Sequence, residues 1–443
     1  ISDLMDRAQT SLDVAMFSHT ENATGEALKR AASRGVKVRY LLDGARQAVE
    51  DHRKVDFFAS LEQAGVDIRY VEPGIHHKFI IADGPRDSLA AAKAARIALG
   101  SANLSYTASA QSDENTLFLV NERKLTFKLQ REFNLLWQHS VDYVSEGAQP
   151  RAPDLSAAII NDSNIPKDPD VDVFFTSSNF QSAGGKLVLN GRYAVAGEIV
   201  KAISSARYSI VVTSSFFRSR PIAEALIAKK AQSPSVIIRV LINQADFVSN
   251  AEHERQVADQ AACIRRAGSD AQKLELCNDA SLSYGYLAET KGIEVRYKLY
   301  AYELERPGPL MHQKYIVVDN ETLLTGSYNL SYSSEHTTFE DVVMLKGTRH
   351  RSLIRDYVTK FYDLWHLGAE ERQFDATMQA IQGNDVPLVF NEETNLKPMT
   401  LTRSQINAVR SAIWTGCGFG NPPVRYGKLD FRRQPITCKR RPN

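Results

Sequence analysis

Net charge, cysteine and long apolar runs are all scarce in this chain, and each scarcity narrows what it can be. Lysine and arginine total 54 against 52 aspartates and glutamates, a formal net charge of +2 over 443 residues, so the molecule as a whole is not built to coat a polyanion. The basic bias is local. Arg425 to Arg441 carries seven basic residues against Asp430, and reads either as a solvated tail or as a contact for phosphate or an anionic surface. No apolar run is long enough to span a bilayer, and no signal peptide is visible. The chain opens at Ile1 inside an amphipathic helical pattern, from which a processed or truncated N-terminus is expected. None of the four cysteines stands in a C-x-x-C or Cys/His ligand spacing, so zinc is not expected. They fall as two close pairs, Cys263 with Cys277 and Cys417 with Cys438, among polar and turn-forming residues. Two local disulfides are expected, and with them an oxidising location, secreted or periplasmic.

What is present begins with a core. A hydrophobic fraction of 43% over this length suits two to three globular domains and excludes disordered or collagen-like classes. One chemical phrase, H-x-K-x4-D followed by G-S-x-N, is written twice: His76, Lys78, Asp83, then Gly100, Ser101, Asn103; and His312, Lys314, Asp319, then Gly326, Ser327, Asn329. Read as strands, each His and its Lys two residues on share a face. The apolar runs behind them, Phe79 to Ala82 and Tyr315 to Val318, suit a strand covered on both sides. Asp83 and Asp319 have the opposite parity from their histidines, which assigns them a structural or supporting role.

The frame around the phrase is repeated as well. A helix at Ile1 to Ala8 leads to a strand at Leu12 to Phe17, as Ile199 to Ala206 leads to Ile210 to Thr213; Val36 to Leu42 matches Val236 to Ile242, and Val66 to Tyr70 matches Ile293 to Tyr297. Helix and strand alternate, which predicts a layered α/β fold, and the repeat is a whole domain, implying two similar halves that face one another. The expected organisation is a first half over 1–145, a proline-broken linker over 146–170, a second half over 171–366 with an insertion at 244–286, and a C-terminal extension over 367–443. The insertion is read as a disulfide-pinned surface loop. A strand at Val171 to Phe175 precedes the second half's first helix and has no counterpart before Ile1.

Two imidazoles, two ammonium groups and several amide and hydroxyl donors form a constellation for attack on a phosphodiester. One His can attack phosphorus, and the other can protonate the leaving oxygen and then activate water. The doubled motifs resemble the two HKD motifs of the phospholipase D superfamily, over Ile1 to His139 and Val171 to His366. The resemblance implies two α/β/α sandwich halves with mixed sheets, related by a pseudo-twofold axis, with the active site at their interface. It implies that His76 and His312 supply nucleophile and general acid, with His76 favoured as nucleophile, and that Lys78 and Lys314 bind phosphate. Glu114 and Glu340 sit where the family places a carboxylate that orients the histidine of the facing half. Ser101, Asn103, Ser327 and Asn329 are expected as hydrogen-bond donors in the phosphate cradle. No metal, cofactor or obligatory protein partner is implied, and a monomer is expected. One departure from symmetry is that Asn115 follows Glu114 whereas Asp341 follows Glu340. His77 is expected to be packed or hydrogen-bonded. His19, His52, His253 and His336 are expected at the surface or as supports behind the site.

The functions in play are a phosphodiesterase that hydrolyses or exchanges phospholipid head groups, a nuclease using the same chemistry on DNA or RNA, and an inactive scaffold, which the intact motifs disfavour. Ser214 to Arg218, with Phe216 and Phe217, suits peripheral membrane contact. Glu114-Asn115 and the basic tail suit the nuclease.

Overall fold

The computed structural model describes residues 1–43, 52–143, 150–299, 310–383 and 398–416. The basic tail and the pair Cys417 and Cys438 lie outside them. Two mixed sheets organise the chain. In the first, β1 (Ser11–Met16), β2 (Lys37–Leu42), β3 (Asp67–Tyr70), β4 (Lys78–Ala82), β5 (Arg96–Gly100), β6 (Thr116–Val120) and β7 (Val141–Asp142) lie in the order β6-β5-β4-β1-β2-β3-β7. A hairpin, β9 (Phe180–Ala183) and β10 (Lys186–Leu189), stands apart. The second sheet is built from β8 (Val171–Phe175), β11 (Ser209–Ser214), β12 (Ile237–Asn243), β13 (Glu294–Leu299), β14 (Tyr315–Val318), β15 (Thr322–Gly326), β16 (Asp341–Lys346) and β17 (Met399–Leu401), in the order β17-β13-β12-β11-β14-β15-β16-β8.

The repeat extends to the ladder. Ser11 faces Lys37 as Ser209 faces Ile237, and Arg39 faces Asp67 as Arg239 faces Glu294. Val14 faces Ile80 as Val212 faces Ile316, and Gly100 faces Thr116 as Gly326 faces Val342. Beyond the repeat, β8 borders β16 and β17 borders β13, so part of the segment after 366 belongs to the second sheet.

Alternation along the strands decides what each half buries. Phe79 and Ile81 enter a central cluster while Ile80 and Ala82 enter an outer one; Tyr315 and Val317, against Ile316 and Val318, divide in the same way. Both faces are covered, which is why these strands read as unbroken apolar runs. The central cluster is shared by the halves through two long helices, Arg123–Gln138 and Arg351–Trp365. Leu125, Leu129, Phe133, Leu136 and Trp137 form one stripe at helical spacing, the pattern of a core-facing helix. Truncating such a residue, Phe133 for instance, costs about 3–5 kcal/mol.

Asp83 and Asp319 close the turns behind the motif strands. Asp83 accepts from the backbone N–H of Gln9 and Thr10 at 2.8 and 2.7 Å, and Asp319 from those of Tyr208 and Ser209 at 2.7 and 2.8 Å. Both adopt a left-handed φ of 54°, which a short polar side chain tolerates.

Several expectations need correction. The insertion is not a loop but a helical hairpin, Asn250–Ala267 and Ala271–Asp279, tied by the Cys263–Cys277 disulfide. Ser249 and Asp270 cap its helices by accepting from the N–H of Glu252 and Lys273, and such caps stabilise a helix start. Phe217 is fully buried against Tyr284 and is not available to a membrane, whereas Phe216 is partly exposed beneath Arg218. His19 is a core residue between Tyr40 and Thr24, and His336 is buried between Tyr193 and Tyr332. His253 is partly buried beside Tyr286. No helix among the described residues is long and apolar enough to cross a membrane.

His77 ties the halves together. Its Nδ1 lies 2.8 Å from Asp341 Oδ1 of the second half and its Nε2 3.6 Å from Glu132 Oε1 of the Arg123–Gln138 helix. All three side chains are buried. Burial alone would lower the imidazole pKa, but the hydrogen bond to Asp341 and the nearby Glu132 carboxylate outweigh it and raise the value to about 9, which favours a charged ring between two carboxylates. In the second half the same places hold Gln313 and Asn115. We predict that His77→Gln, which leaves the carboxylates without their cation, lowers stability near neutral pH by about 3–5 kcal/mol. Because the folded pKa is raised from 6.5 to about 9, the His77 contribution is whole below the lower value and is lost as pH rises through the upper one. In denaturant melts at stepped pH, the deficit of the variant should shrink as pH rises from about 6.5 to about 9 and level off beyond it; a deficit independent of pH would rule out the charged strut.

Candidate active site

The two motif histidines do not sit within the ladders that follow them. β4 starts at Lys78 and β14 at Tyr315, and each His lies in an extended segment that crosses to the other half. Ile75 bridges Phe339, and Met311 bridges Asp113. The His76 N–H donates to Phe339 O at 2.9 Å, and the His312 N–H to Asp113 O at 3.0 Å. The cause is local: the segment before each strand finds its backbone partners in the facing half rather than in its own sheet.

This exchange carries each imidazole to a carboxylate of the opposite half. His76 Nδ1 is 2.8 Å from Glu340 Oε2, and His312 Nδ1 is 2.6 Å from Glu114 Oε1. With Nδ1 held on each ring, Nε2 is the nitrogen left for substrate. Lys78 and Lys314 are buried, and each ammonium donates to the carbonyl of its own motif histidine, at 2.7 and 2.8 Å. Four residues predicted from two repeats are thus gathered, with their two glutamates, into one cleft.

Ser101 and Ser327 have a different task from the one expected. Ser101 Oγ donates to Glu114 at 2.5 Å and accepts from the Asn115 N–H at 2.9 Å; Ser327 Oγ donates to Glu340 at 2.6 Å and accepts from the Asp341 N–H at 3.0 Å. Both serines are fully buried. Their single hydroxyl proton is spent on a carboxylate, so they fix the glutamates rather than contact a phosphate. Asn103 and Asn329 lie two residues further on, each with a buried Oδ1 that has no protein partner.

The electrostatics follow from burial among like charges. Burial, together with Lys78, Lys314, His312 and His77, holds the His76 imidazole well below its ordinary range. Burial and Lys314 push His312 down to about 4, opposed by its bond to Glu114. Burial likewise lowers Lys78 to about 7 and Lys314 to about 8 and raises Glu340 to about 8. The cleft therefore favours uncharged imidazoles near neutrality and resists additional positive charge. Among the described residues, no group of three or more His, Cys, Asp or Glu side chains could hold a metal ion.

Neighbours that the motif did not reveal complete the walls. Phe17 packs edge-on against His76 at 4.6 Å between ring centroids and lies under the Lys78 ammonium at 5.0 Å. On the other side, Ser215 Oγ donates to Met311 O at 3.1 Å, and Lys298 forms a salt bridge with Asp113. Register alone would have found Phe17 and Ser215, since each is the residue after a motif-facing strand, β1 or β11.

The family model described as cardiolipin synthase, PLD-like domain, matches residues 1–137 and 199–365. The mitochondrial cardiolipin hydrolase of Xenopus tropicalis is 30% identical over 137 residues, covering 30% of this chain and 58% of that protein. That of Danio rerio is 28% identical over 136 residues, covering 30% and 53%. The chain thus spans a little over half the length of these curated relatives. Among solved structures, phosphatidylserine synthase from Haemophilus influenzae Rd KW20 has a TM-score of 0.54 at 12% identity, covering 82% of each chain, a likeness of fold. With a matching domain in each half and the paired His, Lys and Glu side chains facing one another across the interface, the chain belongs to the phospholipase D superfamily.

Proposed function

We propose that this protein is a phosphodiesterase that hydrolyses or exchanges the head group of phospholipids through a phosphohistidine. The observation that carries the reading is the reciprocal exchange of His76 to Glu340 and His312 to Glu114, which gives one cleft two imidazoles with free Nε2 atoms and two lysines. In the first displacement, Nε2 of one histidine, taken as His76, bonds to phosphorus as the bond from phosphorus to the head-group oxygen breaks. The other, His312, gives its proton to that oxygen. In the second, His312 takes a proton from water or an acceptor alcohol as its oxygen bonds to phosphorus and the bond from phosphorus to His76 breaks. Lys78 and Lys314 neutralise the phosphoryl oxygens, and Asn103 and Asn329 offer amide donors beside them. Lipid is preferred over nucleic acid because the named relatives are cardiolipin hydrolases and the matched domain is that of a cardiolipin synthase.

The protein's own groups hold His312 near 4, so its proton must arrive with the substrate, whose phosphodiester anion raises the imidazole pKa. The alkaline limb of kcat, which reports the complex, should therefore lie at higher pH than that of kcat/KM, which reports the free enzyme; coincident limbs would count against His312 as the acid. His76→Ala should abolish turnover, and His312→Ala should lower it by about 10²–10⁴-fold, with circular dichroism unchanged. Mixed phospholipid vesicles and single-stranded DNA, offered side by side in excess chelator, provide the decisive comparison. Histidine-dependent lipid turnover is expected; cleavage of DNA alone, falling steeply with salt, would replace the lipid reading with a nuclease.

A further inference from the structure

The two long helices repeat one another along their core stripes but not along their outer ones. Aligned on the stacked pairs Phe133 with Trp137 and Phe361 with Trp365, Lys124, Lys128 and Arg131 of the first helix fall on Ser352, Asp356 and Thr359 of the second. Spacings of four and three put the three cations on one stripe. A cavity of about 460 Å³ lies between that stripe and residues 162–169, and Lys167 lines it from the facing wall beside Ile165, Pro166 and Pro169. None of the His, Lys or Glu side chains of the cleft lines it.

The ion pairs of this cavity are out of balance. Lys124 and Lys128 both donate to the one carboxylate of Asp172, Lys124 at 2.9 Å, and these two lysines are only 17% and 19% exposed. Asp168 cannot serve either of them, because its Oδ2 accepts from Arg349 at 2.8 Å and its Oδ1 from the Asp170 N–H at 2.9 Å. Arg131 meets Asp162, whose carboxylate is 93% exposed, a pair that water largely screens. Lys167 is exposed and has no ionic partner among the described residues. Tying residues 162–172 to the helix requires one cation per carboxylate, so the second lysine is left over. Donors are left over as well. Lys124 divides its ammonium between Asp172 and the Asp168 carbonyl at 2.9 Å, whereas Lys128 commits a single bond to Asp172 and Lys167 none, although an ammonium can make several.

We propose that this cavity is a binding site for a phosphomonoester, separate from the cleft. The inference does not rest on the phospholipid reading. A phosphomonoester carries about −1.5 to −2 near neutral pH, and its terminal oxygens point in different directions. It can therefore accept from Lys128 and Arg131 on the helix and from Lys167 on the facing wall at once, which the coplanar oxygens of a carboxylate cannot do. Ile165 and the two prolines offer an apolar wall to the organic part, and the volume falls within the range of small-molecule sites, about 300–1,000 Å³. Lys128 is already in place, held by Asp172 over the Phe174 ring at 5.5 Å.

The probe is glycerol 3-phosphate, titrated calorimetrically into the full chain as wild type, Lys128→Met, Lys167→Ser and, as a control, Lys201→Ser, an exposed lysine on another helix. Lys128→Met leaves Lys124 and Asp172 paired one to one, so the fold should hold. Affinity should fall about tenfold in each cavity variant and stay unchanged in the control. A second arm follows sedimentation with phosphatidylcholine vesicles, with and without phosphatidate, in the His76→Ala background so that no phosphatidate is made during the measurement. Binding to glycerol 3-phosphate as tight as to the phosphatidate vesicles would identify a free phosphomonoester as the ligand; binding to phosphatidate vesicles alone, lost in the cavity variants, would identify a lipid head group. Either result supports the site. Affinities unchanged in Lys128→Met and Lys167→Ser would overturn it and leave the ligand to the cleft. Equal losses in all three variants would reduce it to diffuse attraction, and wild type that binds neither probe would remove it outright. Should Lys128→Met fail to fold, Lys167→Ser, at an exposed position, decides alone.

Discussion

The structure depends on a crossing: the backbone ahead of each motif strand leaves its own sheet and hydrogen-bonds to the facing half. From that crossing come the bridges of Ile75 to Phe339 and Met311 to Asp113, the carboxylates that receive His76 and His312, and the burial of both lysines. A half on its own would leave its histidine without its glutamate and its glutamate without its histidine. The interface is thus part of the site, and the shared cluster with Phe133, Trp137, Phe361 and Trp365 holds the halves at the spacing those 2.6 and 2.8 Å contacts require. Packing at interior density transmits such constraints because the elements have little room to slide.

Much of this was legible in the residues. The doubled phrase and its matched frame pointed to two α/β halves, and the apolar runs Phe79 to Ala82 and Tyr315 to Val318 to strands covered on both faces. What spacing alone could not supply was direction. Ser101 and Ser327 look like phosphate donors until the backbone turn after β5 and β15 places each beside its own half's glutamate. Phe217 looked like a membrane contact because its short motif says nothing of Tyr284, which packs against it. His19 read as peripheral because its partner Tyr40 lies on another strand. The His77 strut was partly visible: the residue after each motif histidine and the residue after the facing glutamate change together, His77 with Asp341 and Gln313 with Asn115. That pairing has meaning only once the halves are known to face one another.

Charge bookkeeping links the strut to the cleft. Two lysines and two glutamates in one buried space approach neutrality, and an imidazolium at His77, one residue from His76, adds positive potential that Asp341 and Glu132 absorb on the far side. The cleft can then keep both motif imidazoles uncharged without ejecting its lysines, since each ammonium also has a fixed backbone carbonyl. A phosphodiester brings one negative charge into this balance. On the phosphodiesterase reading proposed above, the proton that follows it is the one general acid catalysis needs, and the burial that depresses the histidines makes their protonation conditional on substrate.

Duplication produces a frame with twofold symmetry, but a phosphodiester with two different esters has none. A strictly symmetric cleft would bind such a substrate in two directions with equal energy, the two histidines exchanging roles between them. Any difference between the walls converts that degeneracy into a preference, and 1.4 kcal/mol between the two orientations already gives a tenfold bias. One such difference is the aromatic edge of Phe17 on His76 against the Ser215 hydroxyl after β11. Phe17 and Ser215 each stand one residue beyond a matched strand, β1 or β11. The frame can therefore keep its symmetry for assembly of the site while side chains just beyond its strands depart from it.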